Sequence, residues 1–180
     1  ELARMLLSGR HQIIKTGRIA GVWYKTKSDS LLNARQVEAI CKKFPNVRSI
    51  VPFGGGMIVD LKYMKDFEDI WDEDQHEKVS FAEFWGYDIQ GAIYQKVDNR
   101  MAPFVIVGVT KEAEPDITAV HIPDEDLSFA LADVEALSPR YAAIKKGEIA
   151  PVGCGKCAYC RSVKRLEGIT HYQKINVLEE

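Results

Sequence analysis

The sequence predicts a mixed α/β (α+β) fold, with a central β-sheet flanked by helices, and three observations predict it. Apolar runs at Met57-Ile58-Val59 and over 102–110 have the composition of buried strands. The stretches 31–44, 81–97 and 124–146 carry apolar residues at helical spacing. Strand and helix signals also alternate along the chain, as they do where helices cover a sheet. With 180 residues, 46% of them hydrophobic, the chain can bury one core. A single domain over 1–180 is expected, with a cysteine-rich segment at 151–165.

Leu2 to Ile14 has helical periodicity, and Gly17 to Lys27, with Ile19, Val22, Trp23 and Tyr24, reads as extended. Leu31 to Phe44 is a helix: Leu31, Leu32, Ala34, Val37, Ile40, Cys41 and Phe44 are apolar, and Pro45 stops it. Val47 to Val51 reads as the end of a broken strand. Met57 to Val59 lead a strand into Asp60-Leu61-Lys62. Ser80 is placed to cap a helix bearing Phe81, Phe84, Trp85, Ile89, Ala92 and Ile93 on its apolar side. A strand over 102–110, a bend at Pro115-Asp116 and a second strand over Ile117–Ile122 follow. The last helix, 124–146, opens on Asp124, Glu125 and Asp126, which suit the positive end of its dipole; Pro139 is a point of bending and Gly147 ends it.

No apolar run approaches the ~18 residues of a membrane span, and the first residues are too polar for a signal peptide. Four cysteines, three of them crowded together, do not make a secreted disulfide framework. A soluble cytoplasmic protein is expected. The net charge of −2 hides segregation: residues 1–48 hold ten Lys/Arg against three acids, and 140–174 hold eight against two. Residues 66–78 carry seven acids and one lysine, and 112–135 carry eight acids and no base. Basic ends suit a protein that offers cationic walls to a phosphate backbone, although solvated helix and loop faces give the same pattern.

The chemistry-bearing signal is Asp60-Leu61-Lys62. Residues two apart on a strand project to one face, so the carboxylate can hold a divalent cation while the ammonium orients water or steadies developing charge. Downstream, Tyr87, Gln90 and Tyr94 lie three and four apart and share a helix face.

The order IVDLK, an acidic loop, then GYDIQGAIY resembles the PD-(D/E)xK nuclease superfamily, and within it the RecE-type (exonuclease VIII-like) phage and prophage exonucleases, over residues 57–165. The resemblance implies a restriction-endonuclease-like core and a Mg²⁺- or Mn²⁺-dependent exonuclease that digests double-stranded DNA ends for phage-type recombination. A single-strand annealing recombinase and a homo-oligomeric assembly are the implied partners. Asp60 would bind metal, Lys62 would serve the attacking water, and Gln90 and Tyr94 would support the site. By the same resemblance Glu38, on a helix, and His11 are reserve metal ligands. Arg10, Lys15, Arg18, Lys25 and Lys27 make a candidate DNA flank.

Such nucleases place another metal-binding aspartate on the preceding strand, about ten residues before D-x-K. Between Glu38 and Asp60 there is no acidic residue. Either the chain is a catalytically inactive relative that binds DNA or a partner, or a stretch that held the strand end is absent from this sequence around residues 51–57. The second is favoured, since Val47–Val51 looks broken and Asp29-Ser30 also reads as a junction.

Cys154, Cys157 and Cys160 form C-x-x-C-x-x-C, which can turn several thiolates toward one soft ion, Zn²⁺ or an iron–sulfur cluster. Cys41 would be the fourth ligand by similarity to iron–sulfur nucleases, and His171 for zinc. The alternatives are reduced thiols in a compact turn and a zinc-stabilised interaction domain. Arg161, Lys164 and Arg165 stand ready to grip phosphate in either case.

Overall fold

β1 (Arg10–Ile19) and β2 (Val22–Leu32) form an antiparallel hairpin turning at Ala20 and Gly21. Both turn residues have positive φ, 47° and 80°, as a two-residue hairpin matching the strand twist requires. In this computed structural model residues 1–51, 54–73, 76–165, 168, 169 and 171 are described. They fall into two compact units, Glu1–Ala142 and Ala143–Glu180.

In the first unit the sheet order is β1-β2-β3-β6-β7, with β3 (Met57–Met64), β6 (Phe104–Thr110) and β7 (Ile117–Ile122). β3 and β6 are parallel and the other neighbours antiparallel. The parallel pair needs a crossover, supplied by α3 (Phe81–Phe84) and α4 (Tyr87–Asp98). β4 (Ile70–Asp72) and β5 (Glu77–Val79) make a separate small hairpin on the way.

β3 and β6 are covered on both faces, which is why they read as unbroken apolar runs. On one face Ile58, Phe104 and Ile106 pack with Ala92 of α4 and with Leu127 and Ala130 of α5 (Asp124–Lys146). On the other, Met57, Val59, Val105 and Val107 pack with Leu6 of α1 (Leu2–Leu6) and with Val37, Ile40 and Cys41 of α2 (Ala34–Lys43). Asn33 caps α2 in a reciprocal box with Gln36, and Pro45 ends the connection by opening a 3₁₀ turn over Pro45–Ile50.

Four expectations are corrected. The helix over 2–14 shrinks to Leu2–Leu6, because 10–19 is claimed by pairing with β2. Val47–Val51 is not a strand end but the 3₁₀ turn and its cap. The helix over 81–97 is two helices, broken at Gly86 with φ 63°. The strand over 102–110 begins at Phe104. Pro52 and Phe53, in the stretch expected to hold a missing strand end, lie outside the described residues. No described helix is long and apolar enough to cross a membrane.

In the second unit, taken by itself, the last turn of α5 is followed by Gly147 at φ 76° and then by α6 (Ala158–Val163). None of its described residues is buried.

Candidate active site

β3 brings Asp60 and Lys62 to the α4 face of the sheet, as their spacing predicts. Asp60 is 3% exposed. Its Oδ1 accepts from Gln90 Nε2 at 3.1 Å, and Gln90 Oε1 accepts from Lys62 Nζ at 2.6 Å. Gln90 therefore holds both members of the D-x-K pair. Lys62 Nζ stands 2.9 Å from Asp60 Oδ2 and 4.3 Å from the centre of the Tyr87 ring, so the ammonium is fixed between a carboxylate and an aromatic face.

α4 can seat Gln90 there because Gly91 follows it. A Cβ at Gly91 would lie 2.6 Å from Phe104 Cδ1, so only glycine lets the helix come this close to β6. Tyr94 acts at a distance from the pair: its hydroxyl donates to the Lys27 carbonyl at 3.0 Å and its ring meets Phe104 edge-on, tying α4 to β2 and β6.

The sheet adds a residue from a stretch that the sequence suggests is a junction: Asp29 and Ser30 lie within the continuous strand β2. Ser30 pairs with Val59, where the β2–β3 ladder ends, and the next position on β2 is Asp29. Its Oδ2 accepts from Leu61 N at 2.9 Å and its Oδ1 from Gln12 Nε2 at 2.7 Å. Asp29 thus stands beside D-x-K on the neighbouring strand. No carboxylate stands about ten residues upstream; the one beside Asp60 comes from β2, with α2 and the 3₁₀ turn lying between the two strands in sequence. Opposite Asp29, Gln12 has φ 53°, and the β1–β2 pairing lapses there between His11↔Ser30 and Ile13↔Ser28. Burial changes sides at this point. Ser30 Oγ donates to Leu6 O on the α1 side, whereas Ile13 joins the α4-side core and Gly17 lies against Val97 of α4.

The electrostatics follow from burial. Removal from water pushes the Asp60 carboxyl above the usual carboxylate range; Lys62 opposes the rise, and the Asp29 charge adds to it. Lys62 faces Oδ2 as an ion pair but outside hydrogen-bond direction, so Oδ2 is buried without a hydrogen-bond partner. A buried carboxylate oxygen with no hydrogen bond of its own, facing the Lys62 ammonium and beside a second carboxylate, is a donor set of hard oxygens. It fits a Mg²⁺-like cation, which takes one or two carboxylates and keeps its waters. Among the described residues no three acids or histidines converge here.

The other candidates are placed elsewhere. Glu38 is ion-paired with Arg48, on a helix that packs against the opposite face of the sheet from Gln90. His11 is on β1, its Nδ1 3.3 Å from the Asp29 carbonyl, so it touches the backbone of the site rather than its carboxylates. Lys15 is ion-paired with Asp98 and Arg18 lies over Trp23, leaving Lys25 and Lys27 exposed beside them on the hairpin. A cleft of about 480 Å³ between α4, β7 and α5 includes neither Asp60 nor Lys62.

In the second unit Cys154, Cys157 and Cys160 bring their sulfurs within 4.8 Å of one another and could hold a metal ion. Arg161, Lys164 and Arg165 beside them are exposed. Cys41, in the first unit, is 5% exposed within the apolar core beneath α2.

Residues 51–163 match the model of a PDDEXK-like domain of unknown function (DUF3799). The chain belongs to this family. Its sheet, with the D-x-K strand at the centre and helices on both faces, is the corresponding nuclease-superfamily core. The PDDEXK-like domain is also similar to the crystal structure of a "Putative exonuclease" from Eubacterium rectale, at 33% identity and a TM-score of 0.69 over 98% of this chain. The match takes in 59% of that protein, so this chain spans well under two thirds of its relative's length. A second solved structure, SSO0001, matches at 12% identity and a TM-score of 0.36, over 86% of this chain and 58% of that one. No curated protein matches the domain.

Proposed function

We propose that the protein is a metal-dependent exonuclease of the RecE type, hydrolysing phosphodiester bonds at double-stranded DNA ends in the cytoplasm. The observation that carries this is the adjacency of Asp29 and Asp60 across β2 and β3, with Lys62 fixed beside them by Gln90. The similarity to the E. rectale protein supports the exonuclease reading.

Asp60, through Oδ2 as the Lys62 ammonium turns from it, and Asp29 would hold the cation, Mg²⁺ or Mn²⁺. When bound, it supplies Lewis-acid polarisation of the phosphate and a lowered pKa for water. Lys62 offers three N–H groups, and its ammonium can turn from Asp60 to orient the attacking water or meet charge developing on a non-bridging oxygen as the P–O bond breaks. Gln90 keeps the carboxylate and the ammonium in register, and Tyr87 limits where the ammonium can go. Tyr94 positions α4. Arg10, Lys25 and Lys27 of the hairpin and Arg161, Lys164 and Arg165 of the second unit would meet the DNA backbone, giving salt-sensitive binding. The single strand left behind would pass to a single-strand annealing recombinase, and processive action would favour a homo-oligomer.

The test is shortening of linear duplex DNA by the purified protein with Mg²⁺, against closed circular DNA as control. Loss of shortening in both Asp29→Asn and Asp60→Asn, with the sheet still folded, is the expected result. Salt-sensitive duplex binding without any metal-dependent cleavage would replace this reading with a noncatalytic DNA-binding role.

A further inference from the structure

The three cysteines of the second unit converge without an apolar reason to do so. Cys154 and Cys157 are exposed and Cys160 only partly covered, and none of the described residues from 143 onward is buried. Thiols gathered under a sheet would be explained by packing; these are gathered in water. Their backbone is organised around the sulfurs. Cys154 Sγ accepts from Cys157 N at 3.4 Å, and Cys157 Sγ caps α6 by accepting from Cys160 N at 3.4 Å. Amide groups aimed at sulfur favour thiolate over thiol.

The spacing of the sulfurs distinguishes the two soft-metal chemistries open to such a cluster. Zinc–sulfur bonds of about 2.3 Å at tetrahedral angles put thiolates about 3.8 Å apart. Cys154 and Cys160 have their Sγ atoms 3.8 Å apart, and all three sulfurs lie within 4.8 Å of one another. Around an iron–sulfur cube each cysteine binds a different iron, so the protein sulfurs stand apart by the added width of the cluster. We infer that Cys154, Cys157 and Cys160 are a three-thiolate site for a single zinc ion, which orders residues 153–163 in place of an apolar core. The fourth position is filled from outside these three. Coordination energy is folding energy in a segment of this kind. Its consequence here is a fixed display of Lys156, Arg161 and Lys164 around the ion. The inference stands whether or not the sheet centre is a nuclease.

The full chain, produced with both zinc and iron supplied and purified anaerobically, should carry about one zinc per chain and no acid-labile sulfide. Replacing the zinc with cobalt should give intense thiolate-to-cobalt charge-transfer absorption in the otherwise native protein. Cys154→Ser and Cys157→Ser should each lose the ion, with thermal unfolding of the sheet unchanged as the check on folding; Cys41→Ser should keep it. Iron with matching sulfide, or a native chain that takes up neither zinc nor cobalt, overturns the proposal. So does zinc retained by a Cys154→Ser, Cys157→Ser double variant.

Discussion

Asp60 lies between two apolar layers at 3% exposure, whereas Cys154 and Cys157 are exposed in a segment with no buried residue among those described. Around Asp60, burial of Ile58, Phe104, Ile106 and Leu127 holds the sheet, and the polar centre is a cost that this packing carries. Around the cysteines there is no such reserve. On the readings proposed above, two ways of presenting ligands to a metal would coexist in one chain. In one the fold would precede the ion and the ligands would be few and hard, Asp60 buried and Asp29 partly so; in the other the ligands would be soft and the ion would supply the order. Removing metal should accordingly stop chemistry at the sheet without unfolding it, and should disorder the cysteine segment.

The largest effect that could break the comparison is on cleavage. Asp60→Asn should lower metal-dependent shortening of linear duplex DNA by at least about 10³-fold, and Lys62→Ala by about 10²–10³-fold, while the sheet still unfolds cooperatively. Full activity in both variants would show that the pair is a structural ion pair. Next in size is Gln90→Ala, which leaves donor and acceptor in place but frees both; a loss of about 10–100-fold in rate is expected, read at saturating Mg²⁺. No loss would mean that Lys62 does not need to be held.

Gly91→Ala sharpens the packing half of the contrast. The added methyl would press on Phe104 and Leu127, so thermal or denaturant unfolding should show about 1–3 kcal/mol lost, less the few tenths to ~1 kcal/mol that alanine gains in a helix. If unfolding does not change, α4 is free to move off β6 and the seat of Gln90 is soft.

How much of this was legible follows from where each contact is made. Asp60 and Lys62 share a face through strand geometry alone, and Gln90, Tyr87 and Tyr94 share one through helix geometry, so D-x-K and the helix side were readable from local spacing. The helix over 124–146 and the strand over 117–122 were readable for the same reason, whereas the helix expected from Leu31 begins at Ala34 because Leu31 and Leu32 end β2. Asp29 was not, because its place beside Asp60 is made by β2–β3 pairing across an inserted helix and 3₁₀ turn, a distance no local pattern encodes. The first half of β1 was misread as a continuation of the helix because Arg10, His11 and Gln12 are all exposed and carry no alternation; the period of two begins only at Ile13. The exposed basic face around Lys25 and Lys27 was visible as charge but not as a surface, since alternation fixes the side only once the hairpin register is known.

The smallest effect concerns what the buried carboxylate costs. Burial and the nearby Asp29 raise Asp60 above its unfolded value, so in the window between the ordinary carboxylate pKa and the raised one the folded state holds more protons than the unfolded. Stability from this group is present below the ordinary value and falls as pH rises through the raised one. Asp60→Asn removes that titration. The variant should therefore gain in unfolding temperature relative to the native chain as pH rises from the ordinary carboxylate value, reaching a plateau once Asp60 is fully ionised in the folded state. Mg²⁺ should narrow the difference at neutral pH, since a cation at Oδ2 compensates the buried charge in the native chain and has nothing equivalent to bind in the variant. A gain that does not depend on pH would trace the effect to side-chain packing, and a gain unaffected by Mg²⁺ would move the cation away from Asp60.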